Sequence, residues 1–193
     1  MSANQTTSVT ENNKTGTSSI DYGQAVGKIA HMMESQGGLS RGDLAELRRI
    51  SPDEPFTPAL WRLLLSFDLD ESPYWISQDQ WERRWATLMM GMAHCTGLHD
   101  YDIPFGEALA ETGWSELRFV QLMRAKEETL EKHLRRLARF LSSKHQSANW
   151  TDVARLLFFQ SGDPAENVRL SISRDYYGKL YKLENDKQSK KDS

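Results

Sequence analysis

The side chains best placed to do chemistry are cations set at helical spacing between Trp114 and His145, in WSELRFVQLMRAKEETLEKHLRRLARFLSSKH. In the second half of this stretch Leu130, Leu134, Leu137 and Leu141 recur at spacings of four, three and four. That places them on one side of a 3.6-residue helix, facing a core. Lys132, Arg135, Arg136 and Arg139 fall off the stripe, and no acidic residue lies between Lys132 and His145 to pair with them. The chemistry that suits them is the holding of phosphate oxygens, because a guanidinium offers a planar fork of donors and keeps its charge. Arg48, Arg49, Arg118, Arg124 and Arg155 repeat the feature on other predicted helices, so a composite groove along a nucleic-acid backbone is one reading. A merely solvated helix face is the other. The preference for Arg over Lys, and the recurrence on several helices, favour the groove.

Other constellations point to structure. His94 and Cys95, with His99 four residues on, resemble the start of a metal site or a thiol nucleophile. Zinc takes three or four protein ligands, and neither an HExxH nor a second cysteine pair completes a set. They read as a buried thiol beside two loop histidines. Trp81, Trp85, Leu88, Met89 and Met92 form a helical stripe of core residues. Asp68, Asp70, Glu71, Asp100 and Asp102 sit in loops without the apolar surroundings that would split carboxylate pKa values. GxxxxGKS/T, GxGxxG and GxSxG are all missing. The expectation is a protein without catalytic residues, metal or cofactor.

The elements that must position the arginines follow from caps and periodicity. Residues 1–19 read as a disordered polar leader. Helices are predicted from Ile20 to Ser35, ending at Gly37-Gly38; from Ser40, with Asp43 three on; and from Thr57-Pro58 through ALWRLLLSF, which is apolar all round and placed centrally. Ser77 with Gln80 opens a long helix to about Thr96, and Phe105 to Thr112 forms a short one ended by Gly113. After Ser115 the inward residues are Leu117, Val120 and either Met123 or Leu122. The basic helix follows, then one opened by Asn149 with Asp152, then a last helix from Asp163-Pro164 through Val168, Ile172, Tyr176 and Leu180. No sustained period-two run exists. The fold is expected to be all-α, with about eight or nine helices in two packed lobes: 20–100, and 101–183 carrying the basic face. Residues 184–193 are expected to fray.

Hydrophobic residues make up 38% of the 193, enough for a real core. One cysteine excludes a disulfide framework, and no apolar run spells a signal peptide or a membrane span. A soluble cytoplasmic protein is expected, with no membrane partner. Net charge is -3, but residues 1–112 hold 8 basic and 16 acidic side chains while residues 113–193 hold 16 basic and 11 acidic. A polyanion partner would meet the second half.

In order along the chain, DLAELRRISPDEP, FGEALAETG, SELRFVQLMRA, HLRRLARFL, NWTDVARLLFF and VRLSISRDYY resemble the CasB family, the small subunit of the type I-E CRISPR Cascade complex. The likeness covers roughly Tyr22 to Tyr177. It implies a non-catalytic, all-helical, two-lobed subunit, present in two head-to-tail copies. Its implied partners are the other Cascade subunits, guide RNA and target DNA, above all the displaced non-target strand of the R-loop. Carried over by motif are Arg48 and Arg49 in AELRRI, Arg118 and Arg124 in SELRFVQLMRA, and Arg135 and Arg136 in HLRRL. Lys132 and Arg139 join them from helix geometry, and Arg155 in VARLL reads equally as structural. An adaptor whose basic face meets an acidic protein surface is the alternative function.

Overall fold

Capping side chains decide where most of the helices begin, because each satisfies backbone N–H groups that a first turn leaves open. The computed structural model describes residues 20–34 and 38–189. The polar leader expected at residues 1–19, the helix end expected at Ser35 and Gly37, and the last four residues of the tail lie outside them. Among the described residues there are nine α-helices and no strand: α1 (Tyr22–Met33), α2 (Arg41–Arg49), α3 (Pro58–Ser66), α4 (Gln78–His94), α5 (Phe105–Glu111), α6 (Glu116–Arg124), α7 (Glu127–Lys144), α8 (Trp150–Phe158) and α9 (Gly162–Ser189). The all-α expectation is met.

Ser40 and Asp43 close a full capping box on α2, and Thr57 accepts from the Leu60 N–H ahead of α3. Ser77 accepts from the Gln80 N–H at 3.3 Å. Asn149 accepts from the Thr151 N–H, but Asp152 does not complete that cap. Its carboxylate instead accepts the Phe105 N–H at 3.2 Å, at the start of α5, whose cap residue Pro104 has no side chain to offer. One residue of α8 thereby fixes the beginning of α5.

The buried apolar side chains of both halves form one continuous core. Helix α4 runs through it, packed on α1, α2, α7 and α8. Trp81, Trp85 and Phe158 meet with ring centroids 4.8 to 5.6 Å apart, and Tyr22 stacks on Phe158 at 4.9 Å. Across the molecule α5 lies along α9. A Cβ on Gly106 would come within 2.2 Å of the Ile172 carbonyl oxygen, so only glycine permits that approach.

Three expectations need correction. Helix α3 is a surface helix: Ala59, Leu60, Leu63 and Leu64 are buried, whereas Trp61 is exposed and Leu65 is 60% exposed. Helix α6 is rotated from the predicted face, with Phe119 and Leu122 inward and Leu117 70% exposed. The cause is tertiary, since Phe119 stacks on Tyr176 of α9 at 3.9 Å with the rings nearly parallel. Helix α9 continues to Ser189, well into the segment expected to fray.

His94, Cys95 and His99 are structural, as the sequence reading has them, although His94 ends α4 and is not in a loop. Cys95 is buried, its Sγ 3.3 Å from the Ala138 carbonyl oxygen, and burial pushes its pKa up to about 12. No thiolate forms near neutral pH. His99 Nδ1 accepts the Trp150 N–H at 3.2 Å and so holds the start of α8.

Gly106→Ala should destabilise the protein by about 1–3 kcal/mol, read as a lower midpoint in urea unfolding, because α9 backbone cannot yield as a side-chain tip would. Burial lowers the pKa of both His94 and His99 below the usual histidine value. Protonation therefore favours the unfolded chain, so this contribution is complete above roughly pH 6.5 and is lost as pH falls below it. The thermal midpoint should drop between roughly pH 7 and 5, and His94→Gln with His99→Asn should flatten the drop.

Candidate nucleic-acid interface

Helix α7 presents two opposed faces, and the separation is a consequence of spacing alone. At about 100° per residue, Lys132, Arg135, Arg136 and Arg139 fan over roughly a quarter of the circumference, on the side away from the leucines. Leu130, Leu134, Leu137 and Leu141 are all at most 3% exposed. Lys132, Arg136 and Arg139 are exposed and Arg135 is half-buried.

The tertiary structure divides the eight candidates among several places. Arg135 and Arg139 stand on the flank of α7 next to His94, and Arg48 reaches the same histidine from α2. Their charges add to burial in holding His94 neutral. Burial, and then Arg139, lowers the pKa of Arg135, while Glu131 opposes this. Arg48 is partly committed: its Nε donates to the Ala93 carbonyl at 2.7 Å and an Nη to Thr96 Oγ1 at 3.4 Å, closing the last turn of α4. Its neighbour Arg49 is exposed.

On the other flank Arg136 joins Arg118 of α6 in a hollow of about 330 Å³. Trp114, His133 and Phe140 line it as well. The Arg118 guanidinium lies 5.4 Å from the centroid of the Trp114 ring, a cation–π placement that orders it without neutralising it. Arg124 is separate, in a groove with Lys126 and Arg169 beside the start of α9. Arg169 is fixed there by donating to the Met123 carbonyl at 2.8 Å.

Lys132 stands apart from the rest. Its Nζ is 3.6 Å from Glu128, one turn earlier on α7, and it lines a cleft with Asp53, Asp79, Glu127 and Glu131. The expectation that the basic face lacks a local partner therefore fails at Lys132, because the acid lies on the N-terminal side of it and not the C-terminal. His133, Trp114 and Phe140 were absent from the candidate set. For two of them the spacing carries a signal, since His133 is three residues before Arg136 and Phe140 four after it on α7, whereas Trp114 reaches the hollow from the segment before α6.

Among the described residues no group of three or more His, Cys, Asp or Glu side chains is placed to hold a metal ion. No described helix is long and apolar enough to cross a membrane.

The model of the family described as CRISPR-associated protein Cse2 matches residues 43–177. No curated relative matches the chain. Solved structures share its fold, among them the following two. One chain in the crystal structure of E. coli Cascade bound to a PAM-containing dsDNA target superposes with a TM-score of 0.61 at 23% identity, covering 85% of this chain and 99% of that one. The crystal structure of CasB from Thermobifida fusca superposes with a TM-score of 0.60 at 22% identity, covering 80% of this chain and 94% of that one. The family match takes in every arginine of the fan, the α2 pair and both α6 arginines, and on that match the chain belongs to the CRISPR-associated Cse2 family.

Proposed function

We propose that this protein is a non-catalytic small subunit of a Cascade-type RNA-guided surveillance complex, working in the cytoplasm. In this reading it holds nucleic-acid backbone without reading sequence and steadies the R-loop by retaining the displaced strand. The observation that carries the reading is the exposed fan of α7, backed by a leucine face that cannot turn outward. Arg136 makes no hydrogen bond or ion pair among the described residues, and Arg118 is held only by a ring. Family membership and the fold shared with a chain of E. coli Cascade support the same reading. Backbone contacts carry no base information, so sequence independence follows from the residue types. In an RNA-guided complex the heteroduplex roughly balances the DNA duplex it replaces, and modest backbone contacts tip the exchange.

The division of the fan gives ranks to its members. Arg136 and Arg118, with Arg139, Arg135 and Arg49, are the proposed phosphate contacts, and Arg124 marks a second position beside α9. Arg48 contributes charge from a fixed seat, while Lys132 is the weakest of the eight. The proposed partners are the other subunits, guide RNA, target DNA and a second copy of this chain. A native mass of the co-purified complex should fit two copies; a single copy would contradict that element.

Replacing Arg135, Arg136 and Arg139 together by Ala should leave folding intact, as they lie off the core, whereas Leu137→Ala should cost about 2–5 kcal/mol. If each arginine meets a phosphate, the slope of log K against log salt for unrelated single strands should fall by about 2 to 3. Affinity should drop for every sequence alike, and the displaced strand should become nuclease-sensitive. An unchanged slope in a folded, incorporated variant would overturn the proposal. An adaptor role would appear instead as lost incorporation on Arg135→Glu with Arg136→Glu, with normal strand protection in whatever complex still assembles.

A further inference from the structure

Two adjoining depressions on the far end of α7 differ in chemistry from the arginine fan. They share Gln80, Arg84, Glu127 and Gln160 along their common border. The first, about 670 Å³, opens between the starts of α4 and α7. Its carboxylates are Asp53, Asp79, Glu127, Glu128 and Glu131, against Arg83, Arg84 and Lys132. Those three cations are already engaged. Arg83 binds Asp79 at 2.9 Å and the Pro52 carbonyl, Arg84 donates to the Phe158 carbonyl at 3.1 Å, and Lys132 faces Glu128. Glu127 and Glu131 both lean on Arg84, and Asp53 has no cationic partner among the described residues. The cleft therefore keeps an excess of negative charge.

The second depression, about 600 Å³, is apolar on one side, where Trp75, Ile76, Phe159 and Pro164 line it. The Trp75 and Phe159 rings lie nearly parallel, with centroids 6.5 Å apart. Tyr74 is 89% exposed and Trp75 46%. Exposed aromatics of this size on a loose loop would be unremarkable, but this loop is tied down. Trp81 Nε1 donates to the Leu69 carbonyl at 2.7 Å, and the Gln78 amide accepts from the Ser72 N–H and donates to the Asp70 carbonyl. Ordering a loop by three hydrogen bonds, the one from Trp81 buried, while leaving two aromatic rings in water is a pre-organised surface, and pre-organisation is what lowers the entropic cost of docking.

The charge around the rings decides the class of partner. Asp68, Asp70 and Glu71 precede them in the same loop and the acidic cleft adjoins them, so these carboxylates outnumber the one exposed cation that lines the second depression, Lys126. A nucleic acid stacking on Trp75 would bring its phosphates against those carboxylates, at a cost in like-charge repulsion. A polypeptide that flanks a bulky apolar side chain with Lys or Arg satisfies both depressions together. We propose that this double depression docks such a segment from another subunit, the apolar residue seated against Trp75 and Phe159 and the cations over the Asp53 and Glu128 side of the cleft. The proposal rests on the reading of the chain as a subunit of a larger complex.

The test places the photo-crosslinking residue p-benzoylphenylalanine at position 74, in place of the exposed Tyr74, and irradiates the co-purified complex. A cross-link to another subunit, within a segment that carries Lys or Arg beside an apolar residue, is the expected result. Asp53→Lys with Glu128→Lys, both surface changes, should lower the yield about tenfold, since like charges meeting across an interface are costly. Cross-linking to nucleic acid, to a second copy, to the chain's own lysine-bearing C-terminus, or to an acidic segment would overturn the proposal, as would a yield untouched by the charge reversals. Failure of the chain to co-purify with any complex would instead sink the subunit reading, so the two failures are distinct.

Discussion

The seat of α7 and α8 on α4 depends on one backbone position without a side chain. A Cβ at Gly91 would lie 2.6 Å from the Trp150 ring and 3.7 Å from Ala138. Because the position is glycine, Trp150 can fill the space beside α4 while α7 comes close enough for Cys95 to reach the Ala138 carbonyl. That close approach buries the leucine face of α7, and a helix that buries one face must present the other. The outward display of Arg136 and Arg139 is thus a by-product of core packing, and core packing is what resists change.

Once α7 is seated, neighbouring helices decide what each cation is worth. On one flank α2 and the end of α4 bring Arg48 and His94 to Arg135 and Arg139, concentrating positive charge where burial keeps the histidine neutral. On the other, α6 brings Arg118 and an aromatic wall to Arg136. At its start α7 turns acidic, with Glu127, Glu128 and Glu131 facing α4. A single helix therefore carries a basic region toward its end and an acidic one at its beginning. On the proposed function such polarity suits a subunit set between a polyanion and protein neighbours, and a net charge of -3 is compatible with one basic face.

Local signals were legible wherever a feature is written in consecutive residues. The capping residues Ser40, Thr57, Ser77 and Asn149, the leucine stripe of α7 and the Trp81–Met92 core of α4 could all be read directly. What escaped depends on partners distant in the chain. Helix α6 turns Phe119 inward because Tyr176 awaits it, and Tyr176 is itself anchored by donating to the Trp114 carbonyl at 2.6 Å. Apolar residues all round α3 suggested burial, yet only one side of it finds a neighbour. Among the candidates, Arg48 could not be seen to cap α4, since the Ala93 carbonyl it serves is 45 residues away. Lys132 finds its partner Glu128 one turn earlier on α7, outside the acid-free stretch that follows it.

The most direct test of the central claim is a structure of the assembled complex on a target duplex with the displaced strand resolved. The account places phosphate oxygens within about 3 Å of the Arg136 and Arg139 guanidinium nitrogens, with Arg118 on the same backbone. A map in which that face of α7 meets only protein or only solvent, while the displaced strand runs elsewhere, would contradict it.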